Sequence, residues 1–486
     1  MNYVSTRSDI VPVSAAYAIV KGLCSDGGLF VPETFPKLFA EECVGKTYQE
    51  IAELVLSLYL TDFSKDDIKD SINAAYNDAN FNGKLANTVK ISNNLFAMEL
   101  WHGPTCAFKD YALQLMPHLF VKAKKIINNT NITKILVATS GDTGKAALEG
   151  YKNLKRIKLA VFYPNDGTSE VQRLQMATQE GDNVAVYAIN GNFDDAQKGV
   201  KSAFLDLELA DTLKCKGEEL SSANSINWGR LLPQIVYYYY SYCELVKSGE
   251  ITNGEKIDYC VPTGNFGDIL AGYYAKCMGL PVGKLICASN KNNVLYDFLS
   301  TGTYNAKRDF YKSTSPSMDI LVSSNLERLL YHLSGDKSLV NDLMNCLAIN
   351  GSYTVSKDLL NKLQENFSFD YASDEDVANE ISYQFSANSY LCDTHTAVAF
   401  IAAKRIKSTG NKLCVVVSTA SPFKFSGSVL DALGIEKPLN EFDMIKLLES
   451  TAHNVAPDNL IGLNNKSIRF KEIINVNEIK QKSFEL

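Results

Sequence analysis

With 486 residues, 46% of them hydrophobic and 21% charged, the chain can bury a large core and is long enough for two or three domains. A net charge of −7 argues against nucleic acid as a partner, because a phosphate backbone calls for a basic face; no apolar run approaches the ~20 residues of a membrane helix. Eleven cysteines without a C-x-x-C pair and five histidines without an H-x-x-x-H pair point to reduced thiols of a cytoplasmic protein with no metal site.

In chain order, residues 1–85 read as mostly helical: Ile51, Leu54, Val55 and Leu58 fall at helical spacing, and Asn80-Phe81-Asn82-Gly83 closes the segment. Strand and helix patterns then alternate, with strands over 94–100, 132–139 and 158–163 and helices from Lys109 and Lys145. A second α/β unit begins near Trp228 and carries strands over 258–262, 284–288 and 413–418. Such alternation predicts parallel sheets whose strand C-termini open on a ligand crevice. The expected division is a mostly helical N-terminal domain at 1–85 and two open α/β domains at 86–227 and 228–486. The run Tyr237-Tyr238-Tyr239-Tyr240-Ser241-Tyr242 reads as a buried helix whose hydroxyls find partners, since consecutive tyrosines point all round it. The polar stretch 334–379 carries no assignable pattern.

Three segments hold the chemistry. In Glu99-Leu100-Trp101-His102-Gly103-Pro104-Thr105-Cys106-Ala107-Phe108-Lys109-Asp110, one lysine follows a Gly-Pro turn and opens an apolar helix. Burial and the positive end of that helix disfavour its ammonium form, leaving a nucleophilic amine able to condense with an aldehyde. Two β-branched runs each end in a glycine loop that opens a helix, Ser140-Gly141-Asp142-Thr143-Gly144 and Pro262-Thr263-Gly264-Asn265-Phe266-Gly267-Asp268. Glycines let consecutive backbone N–H groups converge on an anion such as phosphate. Neither loop is a nucleotide fingerprint: Thr139 and Ala146 break the Walker pattern, and G-x-G-x-x-G is absent. Read alone, each loop is equally a tight turn with Asp142 or Thr143 capping the helix.

Taken in series, residues 102–110, 140–144, 225–238, 263–273 and 418–425 resemble the motifs of threonine synthases of the long bacterial and fungal type. Ser5-Thr6-Arg7-Ser8 and the Asp26-Gly27-Gly28 turn resemble that family's N-terminal signature, so the resemblance spans nearly the whole chain. It implies the α/β architecture of fold type II pyridoxal-phosphate enzymes, tryptophan synthase beta-like, with the cofactor in the crevice of two open α/β domains. It also implies conversion of O-phospho-L-homoserine and water to L-threonine and phosphate. Lys109 would carry pyridoxal 5′-phosphate and shuttle protons, and Gly264, Asn265, Phe266, Gly267 and Asp268 would cradle the cofactor phosphate. Thr419, or adjacent Ser418, would contact the pyridine nitrogen.

Ser140, Asp142, Thr143, Asn227 and Arg230 are the candidate substrate contacts, Arg230 because its fork can bind phosphate bidentately. His102 is given a supporting role rather than acid–base chemistry, and a monomer is expected rather than a dimer. Four positions depart from the family pattern: Ser8 stands for glycine, Lys145 for a small residue, Thr263 for serine and Ser421 for histidine. The last keeps as alternatives to threonine synthesis a threonine-synthase-like phospho-lyase or a threonine dehydratase, each releasing 2-oxobutyrate; a non-catalytic binding protein is the alternative of another class, against which the intact lysine and glycine loops stand.

Overall fold

A computed structural model of the chain describes all residues except 140, 167 and 407–411. The described residues form two large sheets and two two-stranded ribbons, wrapped by helices. The larger sheet runs, in spatial order, Phe367–Tyr371, Val282–Ser289, Ile257–Pro262, Cys414–Ser418, Leu95–Glu99 and Asn87–Ser92; all neighbours are parallel except the last pair. Ile257–Pro262 and Cys414–Ser418 are buried at every residue, as parallel strands covered on both faces must be. The smaller sheet is parallel throughout, in the order Ile473–Asn475, Val184–Asn190, Ile157–Pro164, Ile132–Ala138 and Glu218–Ser222.

Sheet membership does not follow chain order. Asn87–Ser92 and Leu95–Glu99 precede residue 228, yet both belong to the larger sheet, Asn87–Ser92 as its edge. Leu95–Glu99 is buried over four of its five residues and pairs with Cys414–Ser418 along its whole length, from Leu95 with Cys414 to Glu99 with Ser418. Half-exposed Asn87–Ser92 then folds back antiparallel as the strand that can face water. From the far end of the chain, Ile473–Asn475 edges the smaller sheet. Periodicity identifies a strand but not its neighbour.

The stretch without assignable pattern is regular structure. It holds the helices Lys337–Asn350, Lys357–Asn366 and Asp374–Asn388, and the edge strand Phe367–Tyr371, whose half-exposed residues give no continuous apolar run. The tyrosine run lies in the helix Gln234–Lys247. Tyr237 and Tyr238 donate to the Asp268 carboxyl, Tyr239 to the Leu38 carbonyl and Tyr242 to the Glu255 carbonyl. Against this helix packs Tyr48–Tyr59 of the N-terminal region, started by a Thr47–Glu50 capping box and burying Ile51, Val55, Leu56 and Tyr59.

This topology fixes where chemistry can occur. Ile257–Pro262, Cys414–Ser418 and Leu95–Glu99 are adjacent and run the same way, so the loops after them meet at one end of the sheet.

Candidate active site

The loop after Leu95–Glu99 is built around Asp110. Its carboxyl accepts from the Thr105 N–H and the Thr105 hydroxyl, each at 2.8 Å, and only a glycine fits at 103, where a Cβ would lie 2.5 Å from that carboxyl. The turn then pairs with the neighbouring strand end: the Phe108 N–H donates to the Thr419 carbonyl at 2.8 Å and the Ser421 N–H to the Cys106 carbonyl at 3.1 Å. These bonds bring Lys109, first residue of the short helix Lys109–Leu113, beside Thr419.

The Lys109 side chain is 12% exposed, and its Nζ lies 3.8 Å from Asp142 Oδ2 and 4.6 Å from the centre of the Phe108 ring. Burial lowers its pKa below the usual lysine value, with Lys424 and Arg230 adding to the effect and Asp142 and Asp268 opposing it. Asp142 opens the helix Asp142–Tyr151. Its Oδ1 accepts from Lys424 Nζ at 2.6 Å and from Gln172 Nε2 at 3.0 Å; its Oδ2 accepts from the Ser317 hydroxyl at 3.2 Å. Burial alone would raise the Asp142 pKa, but Lys424 and Lys109 outweigh it and hold the carboxyl well below its usual range.

The two glycine loops differ in what they leave open. In the first, the Thr139 hydroxyl accepts from the N–H groups of Gly141 and Gly144, both at 3.0 Å, so two of its glycine N–H groups are already taken. In the second, no N–H from Gly264 to Asp268 finds an acceptor among the described residues. Phe266 sits in the left-handed region at φ 63°, which bends the turn into a concavity. Its carbonyls are held from outside, Gly264 by the Ser323 hydroxyl at 2.7 Å and Asn265 by the Asn325 N–H at 3.0 Å. The Asp268 carboxyl takes part through none of this: it accepts from Tyr237 at 2.6 Å and Tyr238 at 2.8 Å, leaves Oδ2 without a partner among the described residues, and is pushed by burial up to about 6.

The remaining candidates sort by what their side chains already touch. The Ser418 hydroxyl is taken by Trp101 Nε1 at 3.1 Å, Thr396 at 3.2 Å and Tyr390 at 3.4 Å, which leaves Thr419 as the hydroxyl at this strand end. Arg230 is buried, spends Nη1 on the Ala223 carbonyl at 2.6 Å and leaves Nε without a partner among the described residues; burial brings its pKa to about 10. A buried guanidinium short of partners suits an anion. Asn227 is already engaged elsewhere in the fold. Its amide donates to the Ile19 and Ser222 carbonyls and its oxygen accepts from the Gly229 N–H, so it ties the N-terminal region to the 222–230 turn with no donor left. Thr143 is half-buried beside Asp142, and Ser140 lies outside the described residues. His102 is held by Glu99 at 2.7 Å and lies against Trp101.

Lys424, which lies within the 418–425 motif, Gln172 and the short helix Pro316–Met318 are site neighbours to which the sequence assigned no role. Ser317 in that helix joins two strands of the network: its N–H donates to His395 Nε2 at 3.1 Å while its hydroxyl meets Asp142. His395 Nδ1 lies 2.6 Å from Asp393 Oδ2, so the second carboxylate fixes which ring nitrogen accepts. For Lys424 the one local signal was its place within the 418–425 motif.

Family models for the N terminus and the C-terminal region of threonine synthase match residues 2–76 and 396–482. Over 440 residues the chain is 39% identical to the threonine synthase of Pseudomonas aeruginosa, covering 88% of this chain and 90% of that one. The chain belongs to the threonine synthase family. It is 35% identical to the pyridoxal-phosphate-bound threonine synthase structure of Brucella melitensis, with a TM-score of 0.87 over 100% of this chain and 99% of that one. It is also 42% identical over 456 residues to human threonine synthase-like 1, a match that takes in 90% of this chain but spans only 60% of that relative's length.

Within this family's pattern, three of the four departures have a local partner. Ser8 donates to Asp26, beside Ser5, in the turn that Gly28 completes. The Thr263 hydroxyl bonds back to the Val261 carbonyl, and Lys145 turns away from the site to Glu149 at 3.0 Å and Gln179 at 2.5 Å. Ser421 is fully buried and its hydroxyl has no partner among the described residues. The N-terminal region is wired to the glycine turn through Arg328, which donates to Phe30, Ile226 and Asn325.

Proposed function

We propose that this chain converts O-phospho-L-homoserine and water to L-threonine and phosphate, using pyridoxal 5′-phosphate. The observation that carries the reading is the meeting, at the ends of three adjacent parallel strands, of one weakly paired buried lysine, one open N–H turn and one free hydroxyl. Those residues fit the cofactor. The 264–268 turn offers unsatisfied N–H groups to a phosphate, Lys109 an amine whose proton is held weakly to an aldehyde, and Thr419 a neutral hydroxyl to a ring nitrogen. When bound, the cofactor supplies the electron sink that stabilises negative charge at the substrate Cα.

The protein's own residues supply the rest. As a free amine, Lys109 would take and return the proton at Cα and take the proton at Cβ whose removal lets the phosphate leave from Cγ. Thr419 does not enforce a protonated ring as an aspartate would, which moderates the sink. Arg230, with its spare Nε, binds the substrate phosphate and stays beside it as it leaves. The N-terminal region, tied in through Arg7 to Glu327 at 2.8 Å and through Arg328, closes the crevice so that one water reaches Cβ. Eleven free cysteines suit the cytoplasm.

The test is product identity in labelled water. Purified protein given phosphohomoserine should yield threonine with solvent oxygen at Cβ and solvent hydrogen at Cγ. Accumulation of 2-oxobutyrate with only trace threonine would overturn the assignment in favour of the lyase reaction, which the exchange of histidine for Ser421 motivates.

A further inference from the structure

Lys424 lies in neither glycine loop and is a buried cation bonded to Asp142. Its side chain is fully buried in the turn Pro422–Phe425, with Nζ 2.6 Å from Asp142 Oδ1 and 3.0 Å from the Thr105 carbonyl. The other oxygen of Asp142 lies 3.8 Å from Lys109 Nζ. One carboxylate thus stands between two buried amines, bonded closely to one and loosely to the other. A buried aspartate needs a paired cation to stay ionised, and whichever amine provides the pairing keeps its own proton.

We propose that Lys424 is a positioning residue for the reaction: by taking the close contact with Asp142 and adding a second buried positive charge, it frees Lys109 from the role of counter-ion and lets its nitrogen give up a proton. The inference rests on the reading of Lys109 as the cofactor-bearing amine. Four charged groups face Lys109: Asp142 at the start of its helix, Lys424, Arg230 in Trp228–Leu231 and Asp268 in Gly267–Met278. With Lys424 gone, Asp142 turns to Lys109 and fixes its proton. With Asp142 gone, the two amines repel and the Lys109 proton is held less. With both gone, the opposing effects largely cancel.

The test uses holoenzyme and the pH titration of its visible absorption band. Lys424→Met should raise the midpoint by about one unit, a tenfold change in proton affinity, and Asp142→Asn should lower it. The Asp142→Asn/Lys424→Met double variant should return close to wild type. Coincident titrations in all the proteins would overturn the proposal, since a purely structural role moves stability and not the midpoint. So would a double variant that titrates at or below Asp142→Asn, a comparison that survives if Lys424→Met alone does not fold. Borohydride reduction and peptide mapping of the same samples separate the two ideas: label on a lysine other than Lys109 removes the functional reading itself.

Discussion

Asp142 and Asp268 occupy the same local setting, each in the first turn of a helix that follows a buried parallel strand and a glycine loop. Their electrostatics are opposite. Asp142 is bonded to Lys424 and faces Lys109, and its pKa lies far below the usual 3.8. Asp268 is bonded to two tyrosine hydroxyls, has one oxygen unpartnered among the described residues and rises to about 6. The helix N-terminus acts on both in the same sense, so it cannot account for the difference. The partner does: an ammonium compensates the lost hydration of a carboxylate, and two phenols compensate it only in part. One helix start therefore presents a fixed anion to the amine side of the crevice. The other presents bare N–H groups beside a carboxyl that is easily neutralised, where a phosphate dianion can be tolerated.

The largest effect should come at the amine that both carboxylates face. Lys109→Ala should lower turnover by about 10⁴-fold or more, since both the covalent hold and the proton transfer vanish. Circular dichroism should show the fold intact, and retention of more than a hundredth of wild-type phosphate release would place the reactive amine elsewhere.

Next come the two carboxyls themselves, which should bend the pH–stability curve in opposite directions. Asp268 binds its proton more tightly folded than unfolded, so the chain should lose stability as pH rises from about 4 to about 6, by up to about 3 kcal/mol. Asp268→Asn should flatten that segment in urea titrations. Asp142 binds its proton more weakly folded than unfolded. Its contribution is present above the usual carboxylate range and lost as pH falls through its lowered folded-state pKa, so Asp142→Asn should reduce acid lability. Parallel curves for both variants would end the contrast drawn between them.

The smallest effects separate the loops. A Cβ at Gly144 would meet Thr139 Cγ2 at 2.5 Å and Val161 Cγ1 at 2.8 Å, so Gly144→Ala should cost roughly 1–3 kcal/mol of stability. At Gly267 the nearest atom is Asn325 Nδ2 at 3.5 Å, ordinary contact distance. Gly267→Ala should therefore leave the melting temperature nearly unchanged while weakening retention of a phosphate-bearing cofactor about tenfold. The reverse pattern would exchange the roles of the two loops.

Much of this was legible in sequence because it is local. A glycine loop between a β-branched run and a helix states its own geometry, and Lys109 after a Gly-Pro turn, within reach of Asp110 and Thr105, needs only residues 103–110 to be shaped. The tyrosine helix was recognisable from its own spacing. Arg230 could be nominated, but the engagement of Asn227 could not be read, because its three bonds go to Ile19, Ser222 and Gly229, one of them more than two hundred residues away.

By itself, then, the sequence determined the loop chemistry, the helix starts and the set of residues from which a phosphate-handling lysine site could be built. Tertiary structure alone decided the order of strands, and with it that Leu95–Glu99 lies beside Cys414–Ser418 rather than beside Ile132–Ala138. That order brings Lys424 and Ser317 to Asp142 across separations of 282 and 175 residues. The physical reason is that a loop's shape depends on torsions a few residues apart, whereas the charge on a buried carboxylate depends on which distant cation the packed sheet sets against it.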